Sequence, residues 1–342
     1  MDNSFYYKKG LCGLRNMGNT CYINSITQCL NNNHNLINYI LTDQYKEDFN
    51  KHPSINLLEK FIDLSSQLYE NNSVVVPREY LYEIKKIAEQ DPCYQELLGC
   101  GQADSQEFLQ FFLEKIHEQL KYKVSMNITG EIKNKTDRLA TLAYKSLNTH
   151  FHNNYSKIVE EFYGLEYSKI FTPDDAEYTS ETFSPFSTLA LEIPEKYEDN
   201  ELTLYDCLNN YTIKETNIKH SQNQEDTNTY HKQLQFWSLP NSLIIVVKRY
   251  DNFLNKKNNV INFPINSLNM FKYSIGYNND KNIYDLYAIS NHSGQLNGGH
   301  YWCYAKNLDG NWYNFNDEKV TSIEESDLIS NNAYCLFYKK RT

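Results

Sequence analysis

Long apolar runs, paired cysteines and an excess of basic residues are all missing from this 342-residue sequence. No apolar stretch approaches the ~18–20 residues that a membrane-spanning helix needs; the longest good one is Leu243 to Val247. Met1 to Gly10 lack the apolar core of a signal peptide. These absences predict a soluble, intracellular protein of the cytoplasm or nucleus, with no membrane partner. The eight cysteines, at positions 12, 21, 29, 93, 100, 207, 303 and 335, have no regular spacing and form no CxxC pair. That argues against a disulfide framework and announces no metal site. Lys and Arg number 33 against 43 Asp and Glu, giving a formal charge of −10 and a pI near 5.4. Such a chain has no electrostatic footprint for nucleic acid and favours a partner with a basic face. No internal repeat stands out.

What is present is enough apolar material, 40% of 342 residues, to bury the core of one large domain or two modest ones. The 29 tyrosines and many asparagines are read first as genomic composition. Ile23, Ile26 and Leu30 recur at helical spacing between Cys21 and Leu30, and Met17-Gly18-Asn19-Thr20 before them forms a turn with Thr20 as the expected N-cap. A second helix is predicted from about Asp104 to Leu120, with Phe108, Phe112, Ile116 and Leu120 (or Leu109, Leu113 and Ile116) on its apolar face. Asp104 and Glu107 resemble a capping box at its start. The second half changes period. Leu243 to Val247 reads as a strand buried on both faces, with further strands at Tyr284–Ser290, Tyr301–Lys306, Trp312–Phe315 and Ala333–Tyr338. The polar stretches 221–229 and 251–262 read as exposed loops. A helical half against a β-rich half creates a cleft, the natural place for a site.

Cys21 differs from the other cysteines because it opens a predicted helix directly after a flexible turn. The unpaired N–H groups and dipole of a helix start favour a thiolate, the reactive form. Cys29 lies inside the same helix, Cys207 within Leu204–Leu208, and Cys303 and Cys335 on strands, all positions of inert core thiols. Among nine histidines, His300 opens a strand after Gly298-Gly299, where a thin backbone admits a substrate chain. The return at Asp309-Gly310-Asn311 brings Asn316 or Asp317 back towards His300, and a base needs a third group to fix its tautomer and orientation. A structural role is the ordinary alternative for any one of these residues alone.

Together they carry a resemblance. Gly13-Leu14-Arg15-Asn16-Met17-Gly18-Asn19-Thr20-Cys21-Tyr22-Ile23-Asn24-Ser25 closely resembles the Cys box of the ubiquitin-specific proteases. Tyr287 to Gly294, Gly298-Gly299-His300-Tyr301 and Trp312 to Asp317 resemble their His box. Gln102-Ala103-Asp104-Ser105-Gln106-Glu107-Phe108 is similar to their Gln-Gln-Asp motif, with Ala103 in place of the second Gln. Trp237-Ser238-Leu239-Pro240 and Val247-Lys248-Arg249-Tyr250 are similar to the segment entering the palm sheet.

The resemblance implies an α+β, papain-like cysteine protease fold arranged as a right hand. A helical thumb (about 10–160), β fingers (about 161–235) and a β-rich palm (about 236–342) would make one catalytic domain over 1–342. It implies a deubiquitinase that hydrolyses the (iso)peptide bond after the C-terminal Gly of ubiquitin through a thioester. Cys21 would be the nucleophile and His300 the general base. Asn316 would be the third member, with Asp317 as an alternative or supplementary polariser, and Asn16 the oxyanion-hole side chain. Gln102, Asp104, Gln106 and Tyr301 match positions around the extended ubiquitin tail, with Gly299 beside its channel. Helix capping accounts for Asp104 equally well, and core packing for Tyr301. Many family members hold one zinc with two CxxC pairs on the fingers. Here Cys207 is the only cysteine between Tyr163 and Leu234, and Phe171-Thr172-Pro173-Asp174-Asp175 stands where the first pair is expected. His220 and His231 lack partners, so fingers without zinc, and no cofactor, are expected. Ubiquitin and ubiquitinated proteins are the implied partners of a monomeric enzyme. The rival readings are a catalytically silent ubiquitin-binding module and a protease for a ubiquitin-like modifier.

Overall fold

Helical periodicity in the first half becomes α1 (Cys21–Asn31), α2 (His34–Leu41), α3 (Leu57–Glu70), α4 (Arg78–Gln90), α5 (Ser105–Leu120), α6 (Lys135–Phe151) and α7 (Lys157–Phe162). A computed structural model of the protein describes residues 9–47, 56–70, 72–98, 103–172, 179–195, 201–218, 230–251, 255–277, 279–295 and 298–341. Gln102, His220 and the polar stretch 221–229 lie outside the described residues. No helix among those described is long and apolar enough to cross a membrane.

Every residue of α1 is buried. The helix is wedged between α5 and the larger of two sheets, so its polar side chains need internal partners. Ser25 Oγ meets Ser290 Oγ at 2.8 Å, and Gln28 Nε2 donates to the Cys12 carbonyl at 2.8 Å.

The strands are β1 (Gly164–Phe171), β2 (Thr179–Phe186), β3 (Leu189–Glu192), β4 (Glu215–Ile218), β5 (Tyr230–Ser238), β6 (Ser242–Lys248), β7 (Leu268–Asn269), β8 (Ile283–Gln295), β9 (Gly298–Lys306), β10 (Trp312–Asn316), β11 (Lys319–Ile323) and β12 (Ala333–Lys340). The larger sheet runs β11-β10-β9-β8-β12-β6-β3, with β7 added to β8. Only its β3–β6 pair is parallel among the described pairings. The smaller sheet runs β2-β1-β5-β4 and carries α6 through Leu139, Ala143, Leu165, Tyr167 and Phe183. β6 explains its own composition: Ile244 and Val246 enter the helical core, and Leu243, Ile245 and Val247 the core on the other face.

Several expectations change in detail. Thr20 precedes α1, but its side chain does not cap the helix. α5 begins at Ser105, one residue later than expected, and Asp104 is its N-cap as expected, accepting the N–H of Gln106. β8 and β9 extend beyond the predicted strands because Ser293, Gly294 and Gln295 keep pairing with His300, Gly299 and Gly298. Within 161–235, β3 and α8 (Leu204–Thr212) pack with the larger sheet, since Leu189, Leu191, Leu204, Cys207 and Leu208 share its core. The described part of 251–262 is tied down rather than free. Buried Arg249 donates to the carbonyls of Lys257 (3.3 Å), Asn259 (2.9 Å) and Ala333 (2.7 Å), and Ile261 is buried.

Candidate active site

The turn before α1 is shaped by left-handed backbone at Gly18 (φ 103°) and Asn19 (φ 53°), conformations that Gly and Asn tolerate best. Asn16 organises it. Its Oδ1 accepts the N–H groups of Gly18 (3.0 Å) and Thr20 (3.2 Å) and the Thr20 hydroxyl (3.2 Å). Thr20 Oγ1 in turn accepts the N–H of Met17 at 3.0 Å, which is why it is turned away from the helix. Cys21 then opens α1, 1% exposed.

His300 stands at the start of β9 and is hydrogen-bonded to Cys21. Its Nε2 meets Asn316 Oδ1 at 2.6 Å. An amide oxygen accepts, so the Nε2 proton is fixed and Nδ1 is left for the thiol. The register brings this about: Phe315 pairs with Cys303, and Asn316 lies one residue further along, level with Trp302 and beside His300. The hydrogen bond to Cys21 holds His300 above its ordinary range, to about 9, against the opposing effect of burial. Asn316 and the negative charges of Cys21 and Asp317 act in the same direction.

Asp317 adds its charge to the polarisation of His300, and its side chain has a second task. Its carboxylate is held by two amides: Oδ2 accepts from Asn16 Nδ2 at 2.9 Å and Oδ1 from Asn24 Nδ2 at 2.8 Å. Its carbonyl accepts the N–H of Leu14 at 2.8 Å. It occupies the two-residue turn between β10 and β11 with φ 49°. The next residue, Glu318, accepts Arg15 Nε at 2.8 Å, and its carbonyl lies 2.2 Å from where a Cβ on Gly13 would stand. One turn therefore carries both the orienter of the base and the tether of the Asn16 amide. That amide keeps a second N–H to offer.

The residues matched to the tail channel divide. Asp104 caps α5, accepting the Gln106 N–H at 2.7 Å through Oδ1 and the Tyr334 hydroxyl at 2.7 Å through Oδ2. Burial raises its carboxyl despite those two donors. Tyr301 stacks on His292 with centroids 4.3 Å apart, and Tyr334 stands 6.3 Å from both rings. Burial lowers His292 to about 4, assisted by Lys256 and His300, so this aromatic wall is uncharged at neutral pH. Gln106 lies half-buried in the first turn of α5. Gly299 serves the fold: a Cβ there would meet the Ser293 carbonyl at 2.2 Å and His292 Nε2 at 2.5 Å, whereas Gly298 faces open space. Sequence reasoning missed Asn24, Ser25 and Trp302. Strand parity, two residues on from His300, was the available signal for Trp302.

A sequence model of the family described as ubiquitin carboxyl-terminal hydrolase matches residues 12–338. Ubiquitin carboxyl-terminal hydrolase 2 of Homo sapiens is 32% identical over 351 residues, covering 97% of this chain and 55% of that protein. Ubiquitin carboxyl-terminal hydrolase 4 of Saccharomyces cerevisiae is 30% identical over 371 residues, covering 96% of this chain and 39% of that protein. The chain thus spans about half the length, or less, of these curated relatives. Among solved structures, a chain of the SAGA Ubp8/Sgf11/Sus1/Sgf73 DUB module bound to ubiquitin aldehyde is similar with a TM-score of 0.74 and 27% identity, covering 98% of this chain and 71% of that one.

Proposed function

The chain belongs to the ubiquitin carboxyl-terminal hydrolase family, and from that membership we propose that it is a deubiquitinase cleaving the (iso)peptide bond after ubiquitin's C-terminal Gly. The observation that carries this reading is the hydrogen-bonded series Cys21–His300–Asn316, with the Asn16 amide tethered beside it by Asp317. His300 takes the thiol proton at Nδ1 and Cys21 attacks the carbonyl carbon. Asn16 Nδ2 and the Cys21 backbone N–H stabilise the oxyanion, and the tetrahedral species collapses to a thioester as His300 gives its proton to the departing amine. His300 then draws a proton from water, which hydrolyses the thioester and frees the enzyme.

All catalytic groups come from one chain, which supports a monomeric enzyme. The seven described cysteines are free thiols, in keeping with a reducing cytoplasm or nucleus. The cysteine and histidine side chains described in the fingers support a reading without zinc. Cys207 is buried in the palm core, and His231 packs edge-on against the Phe171 ring, which itself carries the Lys169 (4.6 Å) and Lys214 (4.9 Å) ammonium groups. Cationic side chains around an aromatic ring repel a divalent metal, so the fingers are proposed to stand without one.

The test is incubation with ubiquitin carrying a thiol-reactive electrophile at its C-terminus, beside Cys21→Ala, with and without prior chelation. The expected result is a one-to-one adduct that needs Cys21, survives chelation and has the mass of a single chain plus ubiquitin. Ubiquitin binding without an adduct would mean a silent module. Neither binding nor adduct would point to a ubiquitin-like modifier, and an adduct lost on chelation would restore the metal.

A further inference from the structure

The outward face of β9 carries His300, Trp302 and Tyr304, while Tyr301, Cys303 and Ala305 enter the core beneath α1. His300 and Trp302 are stacked, with centroids 6.1 Å apart and planes inclined by 20°. Tyr304 meets the far side of the indole edge-on at 6.3 Å and 65°. On the neighbouring strand Asn314 is paired with Tyr304, so Asn316 comes level with Trp302. The indole is half-buried, stacked on the imidazole and level with the Asn316 that accepts the imidazole's hydrogen bond. The other groups facing His300 are Cys21 from α1, Asp317 from the β10–β11 turn and His292 from β8.

We propose that Trp302 is a positioning residue, its indole fixing the His300 ring against Asn316 and shielding that hydrogen bond from water. This rests on the reading of His300 as the base. An aromatic face beside an imidazolium stabilises the charged ring, and removing water strengthens an existing hydrogen bond. Tyr304 buttresses the indole edge-on. A leucine would fill much of the same space without a π face; a phenylalanine would keep one.

The test compares Trp302→Phe, Trp302→Leu and Trp302→Ala with the parent in two assays. One is turnover of ubiquitin bearing a C-terminal aminocoumarin. The other is alkylation of Cys21 by iodoacetamide across pH, which needs no ubiquitin. Trp302→Leu and Trp302→Ala are expected to lower kcat about five- to tenfold, the worth of one cation–π contact. KM should stay within about twofold of the parent, since the indole is on the face of β9 opposite Tyr301. The alkaline limb of the turnover profile should move to lower pH and the rise of alkylation with pH to higher pH, and Trp302→Phe should restore kcat and both profiles. Unchanged profiles in Trp302→Leu, or Phe performing no better than Leu, would overturn the proposal. If Trp302→Ala does not fold, the Phe–Leu comparison still decides. A parent whose alkylation profile responds to these changes but which never turns over ubiquitin would overturn the proposed function and leave this inference standing.

Discussion

Two adjacent side chains divide the positioning of the chemistry. Asn316 holds His300, the proposed base, and Asp317 holds the Asn16 amide proposed to receive the oxyanion. An uncharged orienter stabilises an imidazolium less than a carboxylate would, and Asp317 returns part of that charge from a distance. The consequence is a separable pair of defects. Asp317→Ala should lower kcat by ~10²–10³, the usual loss for one oxyanion donor, with KM little changed. Combined with Asn16→Ala it should do little further harm, because the tether has nothing left to hold; additive losses in that double-mutant cycle would refute the assignment. Asn316→Ala instead should shift the pH dependence of turnover while leaving the Asn16 tether intact.

At the level of elements, the β8–β9 hairpin has one glycine that packing requires and one that faces open space. Gly299→Ala drives a methyl group into the Ser293 carbonyl and the His292 ring, so it should lower the unfolding midpoint as well as activity. Gly298→Ala meets nothing and should keep the parental midpoint while raising KM; equal midpoints for the two variants would contradict this division. The start of α1 and the strands β6, β10 and β12 were legible in the sequence because apolar periodicity and turn residues agree there. The distal parts of β8 and β9 were not, since Asn291 to Gln295 are polar or Gly and are held as strand by backbone pairing. The parallel β3–β6 pair joins residues far apart in sequence and leaves no local pattern. Cys21 and His300 were legible as a candidate pair. The tether of Asp317 was not, because an Asp after an Asn at a turn looks the same whichever of the two touches the base.

Across the whole molecule, pH acts from both sides. Burial lowers His34, His117 and His292 to about 4, so each keeps its contribution above the unfolded value near 6.5 and loses it as pH falls through about 4. His300 runs the opposite way: raised to about 9, its contribution is full below 6.5 and disappears as pH rises through 9. Denaturant midpoints measured across pH should peak near 6.5, and His292→Phe should flatten only the acid limb; a midpoint still climbing at pH 9 would contradict the His300 assignment. The Asp317 turn has a further meaning in time. Asn16 and Asp317 are 301 residues apart, and the last pieces of the palm must dock before that contact exists. While the ribosome is still extending the chain, Cys21 has already emerged but lacks base, orienter and tether. Under the proposed function, synthesis order keeps the nascent polypeptide inert until the β10–β11 turn has been made and docked.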